Sequence, residues 1–287
     1  RMLSAVRCRQ RSLCSVAPRA AQPSQSLDLS YTQTTSELSV GDITRTRAFL
    51  GFGAAATHPA SYRYLLGSVS GHNIIDPEQT LYAMRKVMHF LKKLTFRGGR
   101  TLFVSTQPQL ARLTRVIGQQ SGQFYMARKW VPGLLTNWET VQQQVKKKLQ
   151  LNPIARSAGK LRHSDVQRSM DMKGIEGMDS IPDVVVLLDG TNIHGEAAAL
   201  NVPLIAVVDS DATQEYVDYP IPANSNSIRF HHTLAHMLVR SINEGAKLRA
   251  TLDEYRINKD TSEDGDGVVD EKELEEARQA ALMSGRG

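Results

Sequence analysis

The chain has 287 residues, of which 41% are hydrophobic and 22% charged, with a net charge of +6. That composition suits a folded globular body, and no run of about 18 apolar residues offers a membrane-spanning helix. Cys8 and Cys14 both lie in the first 27 residues, which excludes a disulfide framework or a cysteine-based zinc site in the body.

Charge is unevenly distributed. Residues 1–27 contain five Arg and no acid, residues 28–250 are mildly basic, and residues 251–287 carry eleven Asp/Glu against five Lys/Arg. A basic body suggests a polyanionic partner. The first segment, MLSAVRCRQRSLCSVAPRAAQPSQS from Met2, is rich in Arg, Ser and Ala, the composition of a mitochondrial transit peptide. The other reading of residues 1–27 is a basic arm that is retained and touches RNA.

In chain order, Asp42 is expected to cap a short helix from Ile43, and Gly51 to Asp76 reads as a small, turn-rich stretch. Leu81 to Leu94 has apolar residues at helical spacing and ends at Gly98-Gly99. TLFVST (101–106) is β-rich, 109–120 returns to helical spacing, and 123–126 is a short β candidate. Val141 to Leu151 is helical and basic. PDVVVLLD (182–189) and VPLIAVVDSD (202–211) are continuous apolar runs, the pattern of strands covered on both faces. A short helix (196–200) separates them. A brief strand (219–222) and a long helix (227–247) follow. Strands alternating with helices predict an α/β fold: a parallel sheet flanked by helices on both faces, Rossmann- or flavodoxin-like, in three layers.

Such a sheet invites a nucleotide, but the chain has neither GxGxxG after a strand nor GxxxxGK[ST]. Asp189 and Asp209, at strand C-termini where ligands often bind, are the best case for a nucleotide-binding enzyme; otherwise each caps the next loop. His232 and His236 share a helix face, yet Thr-Leu-Ala between them lacks the general base of HExxH, and no third ligand stands out. No catalytic residues are assigned. Two groups suit nucleic acid better. In ARKWVPGLLTNW, Arg128 and Lys129 adjoin Trp130, with Asn137 before Trp138; cations beside aromatics hold phosphates and stack on bases, unless the indoles belong to the core. The second is the run Lys146, Lys147, Lys148, followed by Arg156, Lys160, Arg162 and Arg168. It is read as a protruding arm at about 139–180, or otherwise as a solvated face.

Four segments occur in a recognisable order: GHNIIDPEQT (71–80), GGRTLFVSTQPQ (98–109), RKWVPGLLTNW (128–138) and PDVVVLLDGTNIHGEAAALNVPLIAVVDSDATQEYVDYPIPANSNSIR (182–229). Together they resemble the universal small-subunit ribosomal protein number two family, in a mitochondrial form, over about residues 50–248. The resemblance implies a non-catalytic constituent of the small ribosomal subunit in the mitochondrial matrix. It would bind small-subunit rRNA and neighbouring ribosomal proteins, with no membrane contact and no homo-oligomer. It implies a parallel-sheet domain over 28–250 from which a helical hairpin projects; here Pro153, Gly159, Gly174 and Gly177 interrupt that hairpin, so a full coiled coil is not expected. The early FGAAATHPASYR segment keeps His58 and Arg63 as RNA-contact candidates, and Arg229 closes the last motif as another.

The tail, residues 251–287, falls outside the resemblance. SEDGDGVVDEKE (262–273) fits a calcium loop of the EF-hand kind: Asp264 and Asp266 at positions three and five, a turn at Gly267, the Val268 carbonyl, Asp270 at nine and Glu273 as bidentate ligand. Ser262 stands where the first Asp is expected, which weakens the site. No cofactor is required. The alternatives are an acidic, partly helical tail without an ion, or a calcium-responsive adaptor built on this loop.

Overall fold

A computed structural model describes residues 38–143, 173–189 and 194–262. Its centre is a five-stranded sheet of β4 (Thr101–Ser105), β5 (Phe124–Ala127), β6 (Val184–Leu187), β7 (Leu204–Val208) and β8 (Tyr219–Pro222). The order is β5-β4-β6-β7-β8 and every pair is parallel. The expected three-layer α/β architecture is present. The chain leaves β4 in one direction to build β5, then crosses back to lay β6 on the other side of β4. The connection therefore reverses between β4 and β6, the position at which folds of this class open a ligand crevice.

Side-chain alternation divides the core. Val184, Val186 and Leu188 point to one face with Phe103, Ile205 and Val207. Val185 and Leu187 point to the other with Leu102, Val104, Ala206 and Val208. The first face is covered by α1 (Val40–Arg45), α2 (Pro77–Phe96), α3 (Ala111–Ser121) and α5 (Ile228–Ser262). Among the described residues, the second is covered by α4 (His194–Ala199), the helical residues 138–143 and a turn near Ile175. Each fully buried aliphatic side chain contributes roughly 1.5–3 kcal/mol, so the seam formed by Met84, Leu91, Phe230, Leu234 and Leu238 outweighs any helix propensity.

Several expectations are revised. The cap of α1 is Ser39, not Asp42: Ser39 Oγ accepts the Asp42 N–H, while the Asp42 carboxylate accepts the Ser39 N–H at 3.1 Å. Asp42 thus supplies the reciprocal half of a capping box. The turn-rich stretch from Gly51 contains a small antiparallel sheet, β1 (Leu50–Gly53), β2 (Leu65–Val69) and β3 (His72–Ile75), in the order β1-β3-β2. Ser70 and Gly71, at φ 52° and 80°, form the two-residue turn between β2 and β3, where right-handed strand twist favours positive φ at both positions. Helix α2 begins earlier than its apolar stripe, at Pro77, because Asp76 caps it by accepting the Glu78 N–H at 2.9 Å. Helix α5 continues past Lys247 to Ser262. Of the predicted basic helix, 141–143 are helical; its remainder and residues 263–287 lie outside the described residues, as does the leader.

Close backbone approach decides how α2 meets α5. A Cβ on Gly245 would lie 2.5 Å from the carbonyl oxygen of Lys92, so no larger residue fits at that crossing without moving a helix.

Candidate nucleic-acid interface

The C-terminal edge of the sheet is where chemistry is expected, and it is filled from within. Asp189, 1% exposed, follows β6. Its carboxylate accepts hydrogen bonds from the backbone N–H groups of Thr106 (2.5 Å) and Gln107 (2.8 Å) and from the hydroxyls of Ser105 and Thr106 (3.1 Å each). The donors that a nucleotide phosphate would need at the β4–β6 crevice are therefore occupied by the protein's own carboxylate. Asp209, after β7, is treated similarly by Ser210 N–H (2.6 Å) and by the N–H and hydroxyl of Ser225. Burial pushes its carboxyl above the usual range, against those hydrogen bonds and with Asp211 adding to the rise. A cleft of about 410 Å³ lies here, lined by Thr106, Gln107, Asp189, Asp209, Asp211 and Asn226 among others. Three carboxylates make it hostile to phosphate.

The adjacent histidines are structural. His231 is fully buried, with Nδ1 2.8 Å from the Ser227 carbonyl and Nε2 2.6 Å from that of Leu188. Burial lowers its pKa, opposed by both carbonyls and by the Asp189 charge. His232 is also lowered by burial, helped by His236 and His231. Among the described residues no cluster of three metal-ligating side chains exists.

Three exposed cations, Arg128, Lys129 and Arg229, lie toward the two ends of the same edge. After β5 the chain turns sharply at Arg128, whose φ of 74° is a left-handed conformation costing a non-glycine residue about 1–2 kcal/mol. The Arg128 N–H donates to the Ser105 carbonyl at 2.7 Å. The turn leaves Arg128 and Lys129 exposed side by side. Trp130 follows, half-buried against the second core face. Its indole N–H donates to Glu196 at 3.0 Å, and the same carboxylate accepts the N–H groups of Gly133 (2.9 Å) and Leu135 (3.3 Å). Glu196, on α4, thus staples the loop that carries the cations. Trp138 is a core residue at 8% exposure, while Asn137 is exposed.

The other sequence candidates are placed less uniformly. His58 caps the 3-10 turn Pro59–Tyr64, its Nδ1 accepting the Ala60 N–H. Arg63 donates to Gln214 Oε1 at 2.7 Å, and its guanidinium lies 4.7 Å from the Tyr64 ring centroid. The His58 N–H also donates to the Ser210 carbonyl, so both residues sit over the β7 end of the edge. Arg229 is exposed in the first turn of α5, just after β8. Four strand spacings, ~19 Å, separate the β5 end with Arg128 from the β8 end with Arg229, and the acidic cleft lies between them. The fold gathers Arg128, Lys129 and Trp130 into one patch and keeps Arg229 apart. Lys146, Lys147 and Lys148 lie outside the described residues. So do Asp264, Asp266, Val268, Asp270 and Glu273, with Ser262 the last residue of α5.

Sequence reading missed Glu196 and the way Asp189 is used. Neither has a local signature: Glu196 meets Trp130 across 66 residues and Asp189 meets Thr106 across 83.

The family model described as ribosomal protein S2 matches residues 44–245. A small ribosomal subunit protein uS2 of Synechocystis is 30% identical over 262 residues, covering 86% of this chain and 97% of that protein. The protein of the same name from Nocardia farcinica is 30% identical, covering 71% of this chain and 76% of its own. That of Rickettsia canadensis is 32% identical over 60% of this chain and 63% of its own.

Proposed function

The chain belongs to the ribosomal protein S2 family, and from that premise we propose that it is a constituent of the mitochondrial small ribosomal subunit, binding its rRNA and neighbouring ribosomal proteins. It is a structural protein and not an enzyme. The observation that carries the reading is the family match across residues 44–245. The mitochondrial qualifier draws on the Arg-rich, acid-free composition of residues 1–27, read as a transit peptide. Residues 28–250 form the ribosomal domain in this reading, with an arm at about 139–180 and an acidic extension at 251–287. Arg128 and Lys129 hold phosphates, with Trp130 and Asn137 beside them. His58, Arg63, Arg229 and the run Lys146, Lys147 and Lys148 supply further RNA contacts. A tagged full-length chain is expected to co-sediment with the mitochondrial small subunit; recovery only in RNA-free soluble fractions refutes the assignment.

A second reading concerns the tail. A helix leads without a break into Ser262, as the entering helix of a calcium loop must. Calcium held by Asp264, Asp266, the Val268 carbonyl, Asp270 and Glu273 would make the extension ion-responsive. Calorimetry on the full chain with millimolar calcium tests it, and absence of heat removes it.

A further inference from the structure

Outside the C-terminal edge, one surface combines aromatic rings, cations and a recess. Between α2 and the edge strand β8 lies a pocket of about 170 Å³, lined by Tyr64, Gln79, Tyr82, Lys86, Tyr219 and Pro220 among others. The rings differ in their freedom. Tyr219 is stacked on Phe90, with centroids 4.7 Å apart, and Lys86 Nζ stands 5.3 Å from its centroid. Tyr64 carries the Arg63 guanidinium at 4.7 Å. Both are therefore fixed walls. Tyr82 is 72% exposed; an aromatic ring left this open on a helix forgoes burial that the core could have supplied. Pro220 and Pro222 lie in β8 itself, so this sheet edge is poorly suited to accept another strand.

The exposed flank of α2 continues from the pocket as a line of positive charge. Arg85, Lys86, Lys93 and Arg97 are exposed along it, Arg85 donating to the Leu38 carbonyl at 3.2 Å, with His89 among them and Glu78 the acid at the start of that flank. Lys92 is taken up by Glu244 at 3.3 Å. The His89 pKa is lowered first by burial and then by Lys93 and Lys92, a sign of how closely the cations are gathered. Lys86 and Lys93 are seven residues apart, about 10.5 Å along the helix, and Lys93 and Arg97 four, about 6 Å, comparable with two repeats and one repeat of an extended sugar–phosphate backbone. A recess with an open ring beside a cation line matches how unpaired RNA is held: a splayed base stacks on the aromatic while neighbouring phosphates meet Lys and Arg.

We propose that the pocket between α2 and β8 receives an unpaired RNA base stacked on Tyr82, with Lys86, Lys93 and Arg97 tracking the adjoining phosphates. This second RNA site presupposes the ribosomal reading above and is separate from the Arg128–Lys129 patch. Its base preference is expected to be weak, because every base offers a π face.

The test uses the full chain and a twelve-nucleotide single-stranded RNA of mixed sequence with a central 2-aminopurine. Tyr82→Ala is expected to weaken binding about tenfold and to restore 2-aminopurine fluorescence, whereas Tyr82→Phe retains both affinity and quenching. Lys86→Ala with Lys93→Ala is expected to lower the salt-dependence slope by about 1.4, two single-strand phosphate contacts. All of these side chains are on the surface, so folding is preserved. If Tyr82→Ala binds within twofold of the parent, the base pocket is refuted even where the lysine variant weakens binding. If only Arg128→Ala with Lys129→Ala loses affinity, the α2 site falls and the proposed function stands. If the parent chain binds no RNA, the RNA-binding reading itself fails, and this site with it.

Discussion

The Asp189 carboxylate accepts the backbone N–H of Gln107 at 2.8 Å, and it also takes up the donors of Thr106 and Ser105 at the crevice between β4 and β6. The contact uses donors that a nucleotide-binding protein of the same topology would present to phosphate. Where such a protein keeps backbone N–H groups open for phosphate, this chain turns them onto a buried acid.

Removing that acid leaves four donors without it. Each buried donor that loses its partner costs about 1–3 kcal/mol, and water entering the adjoining cleft recovers part of that. Asp189→Ala is expected to lower the unfolding free energy by about 3 kcal/mol, measured by urea denaturation. A loss below about 1 kcal/mol would show that the carboxylate does not hold the β4 loop.

Glu196 acts on the cation patch through the loop it staples. Glu196→Ala frees the Trp130 indole and two backbone N–H groups. The expected result is a red-shifted tryptophan emission and a stability loss of about 1–2 kcal/mol. RNA affinity should also fall, although Arg128 and Lys129 are untouched. Unchanged emission and affinity together would mean that the loop keeps its shape without Glu196.

At the α2–α5 crossing two effects oppose each other. Gly245→Ala gains about 0.5–1 kcal/mol of helix propensity. It also forces a methyl to 2.5 Å from the Lys92 carbonyl, and overpacking of this kind costs about 1–3 kcal/mol. Because the obstacle is backbone, the cost wins, and the thermal midpoint is expected to fall. A raised midpoint would contradict the tight crossing.

Acid should weaken the fold in the histidine range. His231 and His232 have folded pKa values below the ordinary 6.5, both chiefly through burial; His89 shifts the same way but is exposed and counts for little. With folded values depressed, the unfolded chain takes up protons that the folded chain refuses. Their contribution is therefore complete above about pH 7 and declines as pH falls through ~6.5. Asp209 is shifted upward, so its opposite effect belongs to the lower, carboxylate range. The urea midpoint is expected to drop between pH 8 and pH 6, and His231→Gln should reduce the change. A midpoint that is level or higher at pH 6 would rule this out.

How much could be read beforehand depended on the range of the interaction. The runs VVVLL and LIAVV announced buried parallel strands because a strand covered on both faces shows it in its own residues. The α2 stripe was legible for the same reason. The β1–β3 sheet was not, since Gly51 and Gly67 resemble loop residues until their strands pair. The α1 cap was misassigned by three residues because Ser39 and Asp42 are both capping types, and only their reciprocal hydrogen bonds distinguish the roles.

The same division holds for function. By itself the sequence determined the α/β layering, the absence of a phosphate loop, and the ordered motifs that mark the ribosomal family, all of which depend on residues close together in the chain. Tertiary structure alone decided that Asp189 takes up the donors at the β4–β6 crevice, that Glu196 grips Trp130, that Arg128 and Arg229 stand at opposite ends of an acidic cleft, and that Tyr82 and Lys86 meet β8 in a pocket. Those relationships span tens of residues or more, and the chain acquires them only when sheet order brings the strand ends together.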